Sequence, residues 1–257
     1  MMTLYHASSS YYSMIARLGL WEAGATFDSH RMDIHIAKEQ LAPWYVAINP
    51  HMTVPSLVEG ERIWRDSRDI LGVAAERAGS RWLAADVATG EKVDSIVAAH
   101  YDIPIERLTF AKAMTRIPPA RWLFPRMLRR IVHDLQAELP NASDPDAVRS
   151  KIAVNSERLD YFTTGRLTDK LEAERERVRR FLSTLPMPAE LLFGAKPTAA
   201  DIVVTVLLGR LKMIGEWTLT TVRPDIGDYF MRVQTLPAFA AADIWTRFQL
   251  HRILLRR

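Results

Sequence analysis

Pro55 constrains the fold of this 257-residue chain more than any other residue. It follows Val54 and opens the short apolar run at residues 56–58. Proline has no backbone N–H to give to a strand ladder, so it belongs at the first residue of a strand or at a sheet edge. An X-Pro bond in a tight turn before a strand is also where a cis peptide is most plausible. Two interpretations follow: an ordinary turn, or a cis turn that leaves the Val54 backbone N–H and C=O free to pair with a peptide-like ligand.

The residues around this turn predict a small mixed sheet with helices on it. Short β-compatible runs alternate with helical periodicity, and Gly24 stands where a glycine ends the first helix. Glu59-Gly60-Glu61 between two apolar runs is typical of a hairpin. The predicted strands cover residues 3–7, 27–34, 56–58 and 62–65. The predicted helices begin at Tyr12 and Ser67, and residues 38–47 are expected to form a short helix or an irregular turn.

After Gly79 the pattern becomes entirely helical. Amphipathic periodicity dominates from about residue 90, and prolines punctuate it. The predicted helices cover residues 92–114, 122–139, 146–185, 199–213, 225–234 and 238–254. We therefore expect an α/β domain at residues 1–82 followed by an all-α domain at residues 90–257.

Composition narrows the classes of function. The chain has no cysteine, so it has no disulfide, thiolate nucleophile or zinc–sulfur site of its own. The seven histidines do not pair with carboxylates at a clear metal-ligand spacing, so we expect no metal. Hydrophobic residues at 48% and charged residues at 25% indicate a globular protein with a substantial core.

Charge and hydropathy predict neither a nucleic-acid nor a membrane partner. The net charge is +4, and acidic and basic residues alternate through most of the chain. Basic residues cluster at residues 121–130 and at Arg252, Arg256 and Arg257, which solvated helix faces explain better than a phosphate-binding groove. No apolar run approaches the ~18 residues that span a bilayer. The first residues show no secretory signal, so we expect a cytoplasmic location.

Two polar stretches accompany the Val54-Pro55 turn. Residues 8–13 form a hydroxyl-rich loop between the first strand and the first helix. Hydroxyls and free N–H groups at a helix N-terminus favour an anion, although a serine there can also simply cap the helix. Asp66-Ser67 stands where a strand meets a helix, and the pair can bind an ammonium group and a carboxylate. Ser67 as a plain helix cap is the alternative.

This order of strand, hydroxyl loop, helix, Val-Pro turn, hairpin and Asp-Ser resembles the glutathione transferase superfamily over the whole chain. Residues 194–202 resemble the family's motif that begins a buried central helix, and Thr198 and Asp201 within it have capping-box spacing. Residues 10–18, 205–211 and 223–224 further resemble the tetrachlorohydroquinone reductive dehalogenase branch. The catalytic cysteine of that branch falls at Tyr12 here, so its thiol chemistry is not available.

The resemblance implies a thioredoxin-like first domain that binds glutathione as co-substrate and a helical second domain. The family's hydroxyl that activates the glutathione sulfur would be Ser10, with Tyr11 or Tyr12 next and Ser13 third. The backbone of Val54, with Pro55 in its turn, would pair with the cysteinyl residue of glutathione. Asp66 and Ser67 would hold the γ-glutamyl end, and Lys38, Gln40 and Thr53 are weaker candidates for the glycyl end.

The same resemblance implies an enzyme that joins glutathione to a small hydrophobic electrophile, aromatic ones included, and a role in detoxification. Its pocket would be lined by side chains of the first loop and the early second domain: His6, Tyr11, Tyr12, Tyr101, Pro104, Leu108, Trp122 and Phe124. The family also implies a homodimer. The alternative function is a non-catalytic binding module that keeps the glutathione site but does not activate the thiol.

Overall fold

The computed structural model describes residues 1–79, 82, 86–142 and 144–254. The chain divides into two compact units. The first comprises Met1–Ala42, Thr53–Ile103 and Val178–Arg257, and the second comprises Pro43–Met52 and Pro104–Arg177. The division into residues 1–82 and 90–257 stays a prediction. Residues 80, 81 and 83–85 near this boundary lie outside the described residues, as do Arg256 and Arg257.

A four-stranded mixed sheet forms the α/β part of the first unit. Strands β1 and β2 are parallel, because α1 carries the chain back across the sheet between them, and β3 pairs antiparallel with β1 and β4. Helices α1 and α3 pack on each other. The elements are β1 (Met2–His6), α1 (Tyr11–Glu22), β2 (Phe27–Arg31), α2 (Pro43–Val46), β3 (Ser56–Glu59), β4 (Arg62–Trp64) and α3 (Ser67–Ala78).

Helices make up the rest of the fold, and no named strand follows β4 in the described part of the chain. These helices are α4 (Val87–Tyr101), α5 (Ile105–Arg116), α6 (Ala120–Glu138), α7 (Pro145–Thr163), α8 (Leu167–Thr184), α9 (Ala199–Ile214), α10 (Asp225–Val233), α11 (Pro237–Ala241) and α12 (Leu250–Leu254). The predicted class, a thioredoxin-like α/β part followed by helices, is confirmed. None of the described helices meets the length and hydropathy needed to cross a membrane.

Three predicted helices were too long. The helix predicted at residues 92–114 is two helices, because Pro104 with its fixed φ and missing N–H separates α4 from α5. The one at residues 146–185 ends at Thr163 and restarts at Leu167, with Gly165 at φ 60° in the turn. The one at residues 238–254 is only α11 and α12, and Asp243 between them adopts φ 52°.

Helix α9 is the centre of the first unit, where it packs on α1 and α4. Every residue from Ala200 to Leu211 is buried. Its start is fixed by the predicted capping box: the Thr198 backbone N–H donates to Asp201 Oδ2 at 2.9 Å, and the Asp201 N–H donates to Thr198 Oγ1 at 3.4 Å. Asp201 Oδ1 also accepts the phenol proton of buried Tyr229 at 3.0 Å.

The second unit has its own core, built from α5, α6, α7 and the segment Pro43–Met52. Phe110 and Phe124 stack with ring centroids 4.3 Å apart, and Phe162 meets Phe124 edge-on at 5.1 Å. Lys151 Nζ donates to the Met52 carbonyl at 2.9 Å, which ties α7 to the end of that segment.

Candidate functional site around the first helix

Ser10 is the N-cap of α1 and the best placed of the predicted hydroxyls. Its Oγ accepts from the Ser13 backbone N–H at 3.3 Å, and the residue is half-buried. In the described part of the chain no acceptor takes the Ser10 hydroxyl proton, so the O–H can still donate to a ligand. The free N–H groups of the first helical turn lie beside it and favour a negative charge there.

The other predicted hydroxyls differ in access. Tyr11 is buried, and its oxygen lies 2.6 Å from His100 Nε2. Ser13 is also buried, and its Oγ accepts from the Ala7 N–H at 3.3 Å. Tyr12 is half-buried, with its ring stacked on Tyr101 at 6.2 Å between centroids. Burial and internal hydrogen bonds therefore leave Ser10 and Tyr12 as the accessible members of the set.

Arg17 holds the hydroxyl loop in place, a role that sequence reasoning did not predict. It is 4% exposed, and its guanidinium donates to His6 Nδ1 at 3.1 Å. Because His6 Nδ1 accepts, Nε2 carries the ring proton and donates to Ser29 Oγ at 2.7 Å. Burial, helped by Arg17, lowers the pKa of His6 to about 3. The remaining Arg17 protons go to the backbone carbonyls of Ala7, Ser8, Ala242 and Asp243.

His6 therefore lies in this buried network, although the sequence placed it in the lining of an electrophile pocket. The signal for Arg17 was present: an arginine among the apolar positions of a helix that is buried on nearly all sides. A guanidinium in such a place needs several acceptors.

The turn before β3 contains a cis peptide bond between Val54 and Pro55. The cis peptide bond is therefore confirmed, whereas the pairing of the Val54 backbone with a ligand stays a prediction. Val54 is half-buried, Pro55 is buried and Thr53 is exposed.

Asp66, and not Ser67, caps α3. The Asp66 side chain is exposed and accepts from the Arg68 N–H at 2.7 Å. Ser67 is the first residue of the helix and is 1% exposed. The plain-cap alternative for Ser67 was therefore wrong, because the carboxylate of the preceding residue takes that place.

Tyr101 contacts Ser67, which the sequence did not predict. The phenol oxygen lies 2.9 Å from Ser67 Oγ, the Arg68 guanidinium stands 5.8 Å from the ring centroid, and Tyr12 stacks on the ring at an interplanar angle of 9°. Burial raises the pKa of Tyr101, so the phenol stays protonated and remains a donor. Tyr101 thus connects the predicted γ-glutamyl position to the hydroxyl loop.

Lys38 and Gln40 lie on the loop after β2. Lys38 adopts φ 52° just before the short 3₁₀ helix Glu39–Leu41. The Gln40 amide donates to the Ile34 carbonyl at 3.3 Å, and its buried Oε1 has no hydrogen-bond partner in the described structure. That acceptor is a polar group still to be satisfied by water or a ligand.

A pocket of about 260 Å³ lies between the hydroxyl loop and the loop after β2. Ser9 Oγ lies 2.7 Å from His35 Nε2 on its wall, and burial lowers the pKa of His35, which favours the neutral imidazole. The C-terminal segment closes one side through Trp245 and Arg252, and neither was predicted at the site. The full lining is Ala7, Ser8, Ser9, Arg31, Met32, Asp33, His35, Glu39, Trp245, Arg252 and Ile253.

Four pocket residues from the prediction belong to the second unit: Pro104, Leu108, Trp122 and Phe124. Leu108 is fully buried, and Phe124 stacks in the aromatic core described above. Trp122 is 67% exposed on α6. The remaining predicted site residues, from His6 to Tyr101, belong to the first unit. In the described residues, no group of three histidine, cysteine or acidic side chains is placed to hold a metal ion.

Comparison with known proteins agrees with the resemblance that the sequence carries. Residues 4–82 match the N-terminal domain of glutathione S-transferases, and the whole chain has the glutathione transferase fold. The chain is thus similar to glutathione transferases in residues 4–82 and in its fold.

Individual proteins are similar to this chain over most of its length. The chain is 27% identical over 261 residues to tetrachloro-p-hydroquinone reductive dehalogenase of Sphingobium chlorophenolicum, covering 94% of this chain and 95% of that one. The structure resembles β-etherase LigF from Sphingobium sp. strain SYK-6, with a TM-score of 0.64, 16% identity and coverage of 94% and 98% of the two chains. It also resembles maleylacetoacetate isomerase from Methylobacterium extorquens AM1, solved with malonate and glutathione bound, with a TM-score of 0.59, 19% identity and coverage of 94% and 95%.

Proposed function

We propose that this protein is a glutathione-dependent transferase that binds glutathione at the first helix and activates its thiol with the Ser10 hydroxyl. The observation that carries the proposal is the half-buried Ser10 at the N-cap of α1, with a proton still available to donate beside the free N–H groups of the helix. A thiolate there gains both a hydrogen bond and the favourable end of the helix dipole.

The other proposed contacts with glutathione are assigned to polar groups around Ser10. Val54, in its cis turn with Pro55, would pair through its backbone with the cysteinyl residue of glutathione. Asp66, exposed at the start of α3, would hold the γ-glutamyl ammonium, and Ser67 the adjoining carboxylate. The weaker candidates Lys38, Gln40 and Thr53 would lie near the glycyl end. For Gln40 this role is supported by its unsatisfied Oε1, which can accept a backbone N–H of the ligand.

The lowering of the thiol pKa that this function requires is modest. A free thiol near pKa ~8.5 is mostly protonated at neutral pH, and a drop of about two units makes the thiolate dominant. Two units correspond to about 2.7 kcal/mol, which one or two good donors and a helix N-terminus supply. The protein would act by electrostatic stabilisation of the bound nucleophile, since it has no cysteine for a thiol step of its own.

The electrophile would be a small hydrophobic molecule, aromatic ones included, that loses a leaving group or adds the thiolate. The relatives are named for reductive dehalogenation, ether cleavage and isomerisation, which are different reactions, so the reaction type is part of the proposal. We further propose a cytoplasmic homodimer with a detoxification role, in line with the family resemblance. Light scattering on the purified protein tests the dimer.

Titration of bound glutathione tests the proposed function. The ultraviolet absorbance of the thiolate is followed against pH for wild type, Ser10→Ala and Ser10→Thr. Wild type should show a bound-thiol pKa about two units below ~8.5, and Ser10→Ala should move it back by one unit or more. Ser10→Thr keeps a hydroxyl and a cap, so it should retain most of the shift and separate thiol activation from lost capping.

Two further results separate the alternatives. Tyr12→Phe with an unchanged thiol pKa supports Ser10 over the phenol. Glutathione binding with no pKa shift in wild type supports the second candidate function, a non-catalytic binding module, which the Tyr12 at the resembled cysteine position favours. Absence of glutathione binding contradicts both functions.

A further inference from the structure

The outer face of α6 exposes apolar side chains, among them Trp122, which the sequence placed in the electrophile pocket. Trp122, Leu123 and Met127 are 67%, 61% and 45% exposed, and Ile117 in the preceding turn is 49% exposed. Scattered single apolar residues on a surface are ordinary, but adjoining ones mark a contact surface. We name Ile117, Trp122, Leu123 and Met127, with the arginines among them, the α6 surface.

The same surface is strongly basic. Residues 116–133 contain no aspartate or glutamate. Their five arginines are Arg116, Arg121, Arg126, Arg129 and Arg130. Arg130 lies 3.8 Å from the Asp134 carboxylate, whereas Arg121, Arg126 and Arg129 have no ion pair with any described residue. Ordinary solvated helix faces carry charges of both signs, so this composition is unusual.

Helical spacing brings the two kinds of side chain together. Residues four apart share a face, so Trp122, Arg126 and Arg130 form one row, with Leu123 and Met127 in the row beside it. The opposite side of α6 is buried, at Leu128 and Leu135, where the helix packs on α7. The α6 surface is therefore the solvent side of a helix that the core holds in place.

We propose that the α6 surface docks the protein peripherally on an anionic lipid bilayer, a partner that charge and hydropathy along the sequence did not predict. Trp122, Leu123 and Met127 would enter the boundary between headgroups and acyl chains, and the arginines would meet lipid phosphates and carboxylates. Apolar residues with an indole on a basic helix face are the pattern of helices that lie on membranes. The helix lies on the bilayer and does not cross it, in keeping with its length and hydropathy.

Charge complementarity selects the bilayer over other occupants. A two-fold contact between two copies through this surface would bring its arginines against the same arginines of the second copy, which is unfavourable without intervening acids. A nucleic acid would use the arginines but would leave the adjoining Leu123 and Met127 without an apolar partner. An anionic bilayer satisfies both kinds of side chain at once.

Vesicle flotation with the full-length protein tests the proposal. The probes are phosphatidylcholine vesicles with and without phosphatidylserine, at low and high salt. Wild type should float only with the anionic vesicles and only at low salt. Arg126→Glu/Arg129→Glu should weaken binding about 30-fold or more, since each arginine near such a surface contributes roughly fivefold. The matched control Arg149→Glu/Arg166→Glu makes the same charge change on exposed residues elsewhere and should retain most binding.

A second variant tests the apolar part. The triple variant Trp122→Ser/Leu123→Ser/Met127→Ser should also lose vesicle binding. Circular dichroism checks that it is folded. If it unfolds, the Arg126→Glu/Arg129→Glu variant still decides the proposal. Wild type that ignores anionic vesicles overturns the proposal, as does binding that both surface variants retain. Conversion of a dimer to a monomer by the serine variant also overturns it, because the surface is then a subunit interface. The proposal is also overturned if the protein binds duplex DNA more tightly than the vesicles and the serine changes do not affect that DNA binding.

Discussion

At the scale of single residues, the Ser67–Tyr101 hydrogen bond determines whether the Ser67 hydroxyl can donate to a ligand. A serine hydroxyl has one proton, and donation to a ligand carboxylate uses it. The raised pKa of Tyr101 keeps the phenol protonated, so it can donate to Ser67 Oγ across 2.9 Å while Ser67 donates onward. Tyr101 is therefore expected to act through Ser67 as a positioning residue and not as a lining residue of the electrophile pocket.

Removal of this phenol should weaken glutathione binding without changing thiol activation. Tyr101→Phe should raise the Kd about threefold to tenfold, the usual effect of one lost hydrogen bond. In a Ser67→Ala background the same change should have little further effect, because the shared bond is already absent. Calorimetric titration of the four proteins measures both steps. Equal effects in the two backgrounds would show that Tyr101 acts independently of Ser67.

At the scale of elements, α9 shows how a helix becomes the centre of a unit. Its ends are defined locally, by the Thr198–Asp201 capping box and by Gly215 at φ 73° after the last turn. Its interior is defined by neighbours: a Cβ at Gly209 would lie 2.9 Å from Ile244 Cγ2 and 3.6 Å from the Trp245 carbonyl oxygen. The C-terminal segment approaches α9 there because the residue is glycine.

Two glycine-to-alanine changes separate helix propensity from packing. Gly209→Ala should destabilise the protein by about 1–3 kcal/mol, because crowding against Ile244 outweighs the gain in propensity. Gly72→Ala in α3 is the matched control: it is exposed and a Cβ would meet nothing within 4 Å, so it should stabilise by about 0.5–1 kcal/mol. Urea unfolding of both variants measures the difference. Stabilisation by Gly209→Ala would mean that the segment at Ile244 moves away freely.

At the scale of the whole molecule, two buried histidines connect stability to pH. Burial lowers the pKa of His6 and of His100 to about 3 in the folded protein, against the ordinary value of 6.5. The unfolded chain therefore binds protons first as the pH falls through 6.5. The stability that the fold has with both histidines neutral is fully present above pH 6.5 and is lost as the pH falls towards 3.

Acidification should therefore destabilise the fold in proportion to these histidines. Between about pH 7 and pH 5 each of the two histidines should lower the free energy of unfolding by about 2 kcal/mol. His100→Gln retains a group that can bond the Tyr11 phenol, and it should reduce this dependence by about one histidine's share, even if it lowers stability at neutral pH. Thermal unfolding at both pH values measures this, with the exposed His133→Gln as control. An unchanged pH dependence in His100→Gln would show that His100 takes up its proton without unfolding.

Local signals account for what could be predicted. The Val54-Pro55 turn, the β-α-β and hairpin order, the start of α9 and the helical second part all depend on short-range chemistry, and the structure has each of them. The lengths of three helices were predicted wrongly, because amphipathic periodicity continues through residues whose backbone leaves the helix, such as Pro104 and Gly165.

Sequence alone thus determined the class of fold and the hydroxyl-bearing residues at the start of α1, because both follow from residues close together in the chain. Tertiary structure decided which of those hydroxyls stay accessible, that Arg17 anchors their loop and that Tyr101 contacts Ser67, 34 positions away in the chain. It also decided that Trp122 faces outward. Burial and hydrogen bonding between distant residues depend on how the helices pack. Periodicity predicts which face of a helix is apolar but not which element packs on that face.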